Sequence, residues 1–65
     1  MSIQHHAINT GANAQIWMLD LETGERTLMD YVHGAEAFER HPERYRPAGM
    51  TDAEHAAYLA ARKAA

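Results

Sequence analysis

The side chains best suited to chemistry in this sequence are its five histidines, which could bind a zinc or nickel ion together with nearby carboxylates. They are His5, His6, His33, His41 and His55. Their spacing matches no metal-binding motif, because His55 on the predicted C-terminal helix is followed four residues later by Leu59 and not by a second histidine. We therefore expect no metal site and no cofactor. Most of these histidines are expected at the solvent-exposed surface, the remainder as buried or interface contacts that respond to pH.

Residues suited to catalysis are few. Cysteine is absent, and Ser2 lies in the N-terminal segment, so a nucleophile is difficult to place. General acid or base chemistry could use Glu36, Glu39, His41 or Glu43. Such a pair needs a walled pocket that shifts its pKa values, and a chain with so few large apolar side chains can hardly build one. The sequence therefore predicts a protein that is not an enzyme and has no small-molecule substrate.

Basic residues cluster around Tyr45 and near the C-terminus, in a pattern resembling a small patch that contacts phosphates or stacks on bases. They are Arg40, Arg44, Arg46, Arg62 and Lys63. The net charge of -3 argues against a generic nucleic-acid-binding protein, which would carry a basic face. We expect this patch to face water or an acidic protein surface, and a nucleic-acid partner is disfavoured.

Length and composition limit the sources of stability that the protein can use. The chain has 65 residues, and many of its apolar residues are alanines, so its core must be thin. Without cysteine it has no disulfide to compensate. Its longest apolar run, residues 56–61, is far shorter than the ~20 residues that cross a bilayer, and residues 1–14 do not resemble a secretory signal. We expect no membrane partner.

The first element that must position these side chains is a predicted β-hairpin over residues 15–32. Two runs rich in strand-forming residues, 16–21 and 27–32, flank a short polar segment. This segment contains Gly24, which can adopt the positive φ that a tight or bulged turn requires. The pattern therefore predicts two antiparallel strands joined by a short loop.

Two registers are compatible with this hairpin. A two-residue loop would pair Leu19 with Leu28. A bulged loop would instead pair Trp17 with Tyr31 and Leu19 with Met29. We favour the bulged register because it places two aromatic side chains opposite each other.

Residues 1–14 are expected to form a separate N-terminal arm or a first strand. The sequence of residues 8–12 weakly echoes that of residues 21–25, which would suit the first strand of a three-stranded meander. An irregular arm is the alternative. In either case, residues 15–65 are expected to form one small α+β domain.

Two helices are predicted after the hairpin. The first is a short helix over residues 34–41 that ends at Pro42. The second, over residues 52–63, begins with a capping box formed by Thr51 and Glu54. The predicted fold is a small α+β fold, with an antiparallel hairpin or three-stranded meander followed by a short helix and an alanine-rich C-terminal helix.

Apolar side chains occupy both faces of the predicted hairpin. Trp17, Leu19 and Leu21 point to one face, whereas Ile16 and Met18 point to the other. A strand with one face in water should alternate between apolar and polar residues. The remaining large apolar residues are too few to cover both faces, so one face needs a further cover.

Two arrangements would supply this cover. In one, the N-terminal arm folds back through its isoleucines and completes a self-contained domain. In the other, which we favour, one face or an edge strand docks on another subunit. The predicted interface residues are Ile3, Ile8, Trp17, Leu19, Met29 and Tyr31.

Residues 20–46 resemble small uncharacterised proteins of tailed bacteriophages and prophages. The resemblance rests on the hairpin segment 21–25 (LETGE), followed by segment 32–45 (VHGAEAFERHPERY). It implies a role in virion structure or assembly, such as a capsid-associated, decoration or head-to-tail accessory protein. It transfers no catalytic residue. The expected location is the virion if the protein is encoded by a phage, and otherwise the cytoplasm.

The sequence thus favours a non-enzymatic protein–protein interaction module. Its expected partner is a protein, either a second copy or a larger capsid or virion subunit. The alternative is a small soluble inhibitor or regulator that binds a host protein through its acidic surface. Candidate contacts for this alternative are Asp20, Glu22, Glu25 and Asp30. A metal-binding module is the least favoured of the three.

Overall fold

The computed structural model describes residues 3–9 and 13–64, which form a small α+β fold, as predicted. These residues contain a three-stranded antiparallel sheet with the strand order β2-β1-β3, together with two α-helices. The elements are β1 (Gln15–Asp20), β2 (Arg26–Asp30), α1 (Tyr31–Arg40), β3 (Tyr45–Pro47) and α2 (Asp52–Ala64), and a 3₁₀ helix covers Gln4–His6. Within the described ranges, neither helix is long and apolar enough to span a membrane.

The predicted hairpin is present, but both predicted registers are wrong. Trp17 lies opposite Leu28 and Leu19 lies opposite Arg26. The favoured pairings of Trp17 with Tyr31 and of Leu19 with Met29 therefore do not form, nor does the pairing of Leu19 with Leu28.

The register differs because the loop is longer than either predicted turn. The Asp20 N–H donates to the Glu25 carbonyl at 2.8 Å, and the Gly24 N–H donates to the Asp20 carbonyl at 2.7 Å. The Asp20 carboxylate also accepts a hydrogen bond from the Glu22 N–H at 2.9 Å, as in an Asx turn. Gly24 has a φ of 80°, the left-handed conformation that glycine adopts without strain.

The second strand is shorter than predicted, and the first helix begins earlier. Residues 31 and 32 belong to α1 and not to the hairpin, and α1 ends at Arg40 where the prediction was residues 34–41. Strand pairing ends where the Tyr31 N–H donates to the Ala14 carbonyl at 2.9 Å. In the helix, the Tyr31 side chain packs against the core while Val32 is exposed. Core packing of Tyr31 therefore outweighs the strand preference of this segment.

The third strand of the sheet is β3, which pairs with β1 on the side away from β2. The predicted first strand in the arm is reduced to a single bridge, in which Ile8 and Gln15 exchange two backbone hydrogen bonds of 2.7 and 2.9 Å. The described part of the arm is neither a full strand nor wholly irregular, because it contains the 3₁₀ helix.

The C-terminal helix and its capping box are confirmed. The Thr51 N–H donates to Glu54 Oε1 at 3.0 Å, and the Glu54 N–H donates to Thr51 Oγ1 at 3.1 Å. Helix α2 extends one residue beyond the predicted end. The capping box fixes both the start of the helix and the position of the Glu54 carboxylate.

The core lies between one face of the sheet and the two helices. Its buried apolar side chains are Ile3, Ile16, Met18, Phe38, Met50 and Tyr58. The rings of Phe38 and Tyr58 lie 4.2 Å apart between centroids and thereby join α1 to α2. His55 is also buried, and its Nε2 bonds to the Pro42 carbonyl. The helices thus cover only the face of β1 that carries Ile16 and Met18.

Candidate functional site

The face of the sheet opposite the core carries large apolar side chains that remain in contact with solvent. Trp17 on β1 is 46% exposed and Leu28, its partner on β2, is 38% exposed. Leu21, just beyond the end of β1, is 39% exposed. We call the surface formed by Trp17, Leu19, Leu28 and Arg26 the open face. The sequence predicted such a patch, because apolar residues occupy both faces of the first strand.

The six predicted interface residues are distributed over three environments. Trp17 is exposed on the open face, and Leu19 is half-buried on the same face. Ile8 is exposed at its bridge with β1. The other three turn inward, since Ile3 is buried in the core and Met29 and Tyr31 pack against it.

Two residues of the open face were missed from the sequence. Leu28 and Arg26 lie there because the observed register pairs them with Trp17 and Leu19. Paired residues in an antiparallel sheet lie on the same face, so the correct register would have identified both.

The outer edge of β2 is open to pairing. Hydrogen-bonded and non-hydrogen-bonded residue pairs alternate along the β1–β2 ladder. The backbone hydrogen bonds at its two ends, from Asp20 to Glu25 and from Tyr31 to Ala14, show which pairs are bonded. In this alternation, Thr27 and Met29 bond to β1, whereas the backbone groups of Arg26, Leu28 and Asp30 point away from it. The sheet order places no further described strand beside β2. Its side chains are also exposed, apart from that of Met29.

A hollow of about 460 Å³ lies beside Trp17. It is lined by His6, Trp17, Arg26, Ala48 and Gly49. Its volume falls in the range of small ligand sites, but the hollow is open to solvent beside the open face and is not an enclosed chamber. An inserted side chain from a docking protein would fit such a space.

The basic patch predicted around Tyr45 is largely paired within the chain. Arg44 forms ion pairs with Asp20 at 3.3 Å and with Glu22 at 3.5 Å. Arg46 pairs with Asp52 at 2.8 Å. Arg40 on α1 pairs with Glu36 at 3.1 Å. These pairs neutralise much of the charge that a phosphate backbone would need.

The same contacts reduce the acidic surface. The hydrogen bond from Arg44, followed by that from the Glu22 N–H, holds the pKa of the Asp20 carboxyl below its ordinary value. Asp20 and Glu22, two of the four acidic residues proposed to bind a partner, are thus already engaged by Arg44. Glu25 and Asp30 remain exposed.

A second cluster brings together groups that could hold a metal. His5, His6 and Glu54 each offer a ligand atom, and these atoms lie within 4.8 Å of one another. Burial, and then the neighbouring His5, lower the pKa of His6. Hydrogen bonds from Thr51 lower the pKa of Glu54. The cluster joins residues far apart in the chain, so spacing along the sequence does not reveal it.

Comparisons with known proteins give no identification. No family model, no curated protein and no solved structure matches this chain.

Proposed function

We propose that this protein is a non-enzymatic interaction module that assembles through its open face and the free edge of β2. The observation that carries the proposal is the exposed pair of Trp17 and Leu28 beside a strand edge that no other described strand pairs with. Exposed apolar patches and open strand edges are both used for docking between proteins. An aromatic side chain in such a patch commonly contributes much of the binding energy.

The partner that best fits the edge is a second copy of the same chain. An antiparallel pairing of β2 with β2 centred on Leu28 would let the outward backbone groups of Leu28 bond to those of Leu28 in the second copy. The same register places Arg26 of each copy opposite Asp30 of the other. Arg26 has no ion pair within the described residues, and Asp30 makes only a long 3.9 Å contact with His33.

The resulting dimer would extend the apolar surface. Because Arg26, Leu28 and Asp30 share a face with Trp17, pairing would align the two open faces side by side. Two oppositely charged cross-strand pairs would then border a central row of tryptophan and leucine. Such a symmetric contact satisfies the edge of both copies at once.

The pairing is tested by exchanging its charges. Arg26→Glu and Asp30→Lys, made singly, each place like charges opposite each other at two symmetric positions. We expect each to weaken dimerisation by about tenfold or more, as measured by sedimentation equilibrium. The double variant restores opposite charges and is expected to recover dimerisation.

Glu39→Lys is the matched control, because it makes the same charge change as Asp30→Lys on an exposed helical position. It is expected to dimerise like the wild type. Circular dichroism of each variant checks that the monomer remains folded. A wild-type protein that stays monomeric at about 1 mM, or a double variant that fails to recover, would contradict self-pairing.

The biological setting that we propose is a virion, in which the protein serves as a structural or assembly accessory. This part of the proposal is supported by the resemblance of residues 20–46 to small phage proteins. The larger capsid or virion subunit would contact the joined open faces and their hollows. The acidic-surface regulator receives less support, because Asp20 and Glu22 are paired with Arg44.

The virion role predicts a fixed stoichiometry. Quantitative mass spectrometry of purified particles is expected to find this protein at a constant ratio to one larger structural protein. Trp17→Ser, which changes an exposed residue, is expected to lower that ratio severalfold while leaving the fold intact. Particles that lack the protein altogether would exclude a virion component, although self-pairing could still stand.

A further inference from the structure

The N-terminal arm and the first turn of α2 meet at the cluster of His5, His6 and Glu54. His5 and His6 belong to the 3₁₀ helix, and Glu54 is in the first turn of α2. Their ligand atoms all lie within 4.8 Å of one another, although the chain between them is long. The fold therefore brings two imidazoles and one carboxylate to a single point.

This set of donors suits a zinc ion. Zinc binds imidazole nitrogen and carboxylate oxygen at about 2.0–2.2 Å, so donors around a tetrahedral ion lie about 3.4 Å apart. Separations of up to 4.8 Å would have to shorten by about 1.4 Å at most. Small rotations of three side chains can provide this change. Two histidines and one glutamate also leave the fourth position to water, as in zinc sites with three protein ligands.

The surroundings of His6 favour an additional partner. Its Nε2 is buried and has no hydrogen-bond partner among the described residues. A buried polar atom without a partner is destabilising, and native proteins rarely leave one. A metal ion bound at Nε2 would supply the missing partner.

The position of Glu54 is set in advance by the capping box. Its Oε1 accepts the hydrogen bond from the Thr51 N–H, and its own N–H donates to Thr51 Oγ1. A carboxylate has a second oxygen, so Glu54 can keep the capping box and still offer Oε2 to an ion. The helix cap therefore also acts to orient a ligand.

We propose that His5, His6 and Glu54 bind one Zn²⁺ ion, which fastens the N-terminal arm to α2. The ion would close the long loop of residues 7–53 and hold Ile3 in the core, where this side chain is 4% exposed. A chain of this size has a small core and no disulfide, so a metal cross-link would add substantially to its stability. The site is independent of self-pairing through β2.

The test is a titration of untagged, metal-free protein with Zn²⁺, followed by thermal unfolding and by calorimetry. We expect one ion per chain and a rise in Tm of about 5 °C or more under saturating Zn²⁺. Glu54→Gln is the decisive variant, because glutamine can still complete a capping box but lacks the carboxylate ligand. It is expected to fold normally and to bind Zn²⁺ at least about tenfold more weakly.

His5→Ala, at an exposed position, should weaken binding to a similar degree without loss of the fold. His33→Ala and His41→Ala are matched controls, since both replace exposed histidines outside the cluster, and they should bind like the wild type. Substitution with Co²⁺ should give the visible absorption of a tetrahedral site in the wild type and not in Glu54→Gln. The proposal is overturned if excess Zn²⁺ leaves Tm unchanged, or if Glu54→Gln binds Zn²⁺ as tightly as the wild type.

Discussion

Replacing Phe38 by alanine is expected to remove a large part of the protein's free energy of unfolding. Phe38 is 3% exposed, and its ring packs on Tyr58, so it joins the sheet, α1 and α2. Truncating a buried phenylalanine costs about 3–5 kcal/mol. The free energy of unfolding of a chain of this length is about 3–10 kcal/mol, so the loss is comparable to the whole.

Urea unfolding followed by circular dichroism measures this effect. Phe38→Leu keeps most of the side-chain volume and is expected to stay folded with a smaller loss, which keeps the effect measurable if the alanine variant does not fold. Leu28→Ala, an apolar truncation on the open face, is the control. It should lower the free energy of unfolding of the monomer far less than Phe38→Ala does. A loss below about 1 kcal/mol for Phe38→Ala would mean that the core is not centred on this residue.

The second large effect is expected from Gly34→Ala in α1. A methyl group at Gly34 would overlap Ile16 Cγ2 and would lie 3.2 Å from two atoms of Met18. Alanine is the better helix former by about 1 kcal/mol, so a solvent-exposed glycine would gain stability from this change. Here we expect the free energy of unfolding to fall by about 2 kcal/mol. Ile16 is completely buried and branched at Cβ, so its side chain cannot move away from the added methyl group.

A double-mutant cycle isolates this steric contact. Ile16→Leu moves the branch away from Cβ, and in this background Gly34→Ala should cost clearly less than in the wild type. Val32→Ala, at an exposed position in the same helix, controls for helix propensity and should be neutral or slightly stabilising. If Gly34→Ala proves as stable as the wild type, α1 does not pack on β1 as closely as described.

Local signals in the sequence were sufficient for much of the fold. The capping box of Thr51 and Glu54 requires only residues three apart, and it correctly predicted the start of α2. The hairpin followed from two apolar runs around Gly24. Its register did not, because the loop length depends on hydrogen bonds of the Asp20 side chain and backbone that a residue pattern does not show.

The boundary at Tyr31 failed for a different reason. Tyrosine and valine favour strands, but Tyr31 packs against the core from within the helix, and a residue pattern does not show this tertiary contact. The exposed face of Trp17 was predictable, since alternation along a strand decides which side chains share a face. The cluster of His5, His6 and Glu54 was not, because spacing motifs detect ligands on one element, and these residues lie on two.

The central position of β1 also bears on the order in which the chain folds. Pairing with β2 closes only the short hairpin loop, whereas pairing of Asp20 with Tyr45 must enclose residues 21–44. The entropy of loop closure therefore favours the hairpin first and delays β3 until α1 has formed. During synthesis, the second edge of β1 stays uncovered until residue 47 has left the ribosome, and in that interval a nascent chain has two edges at which it can aggregate.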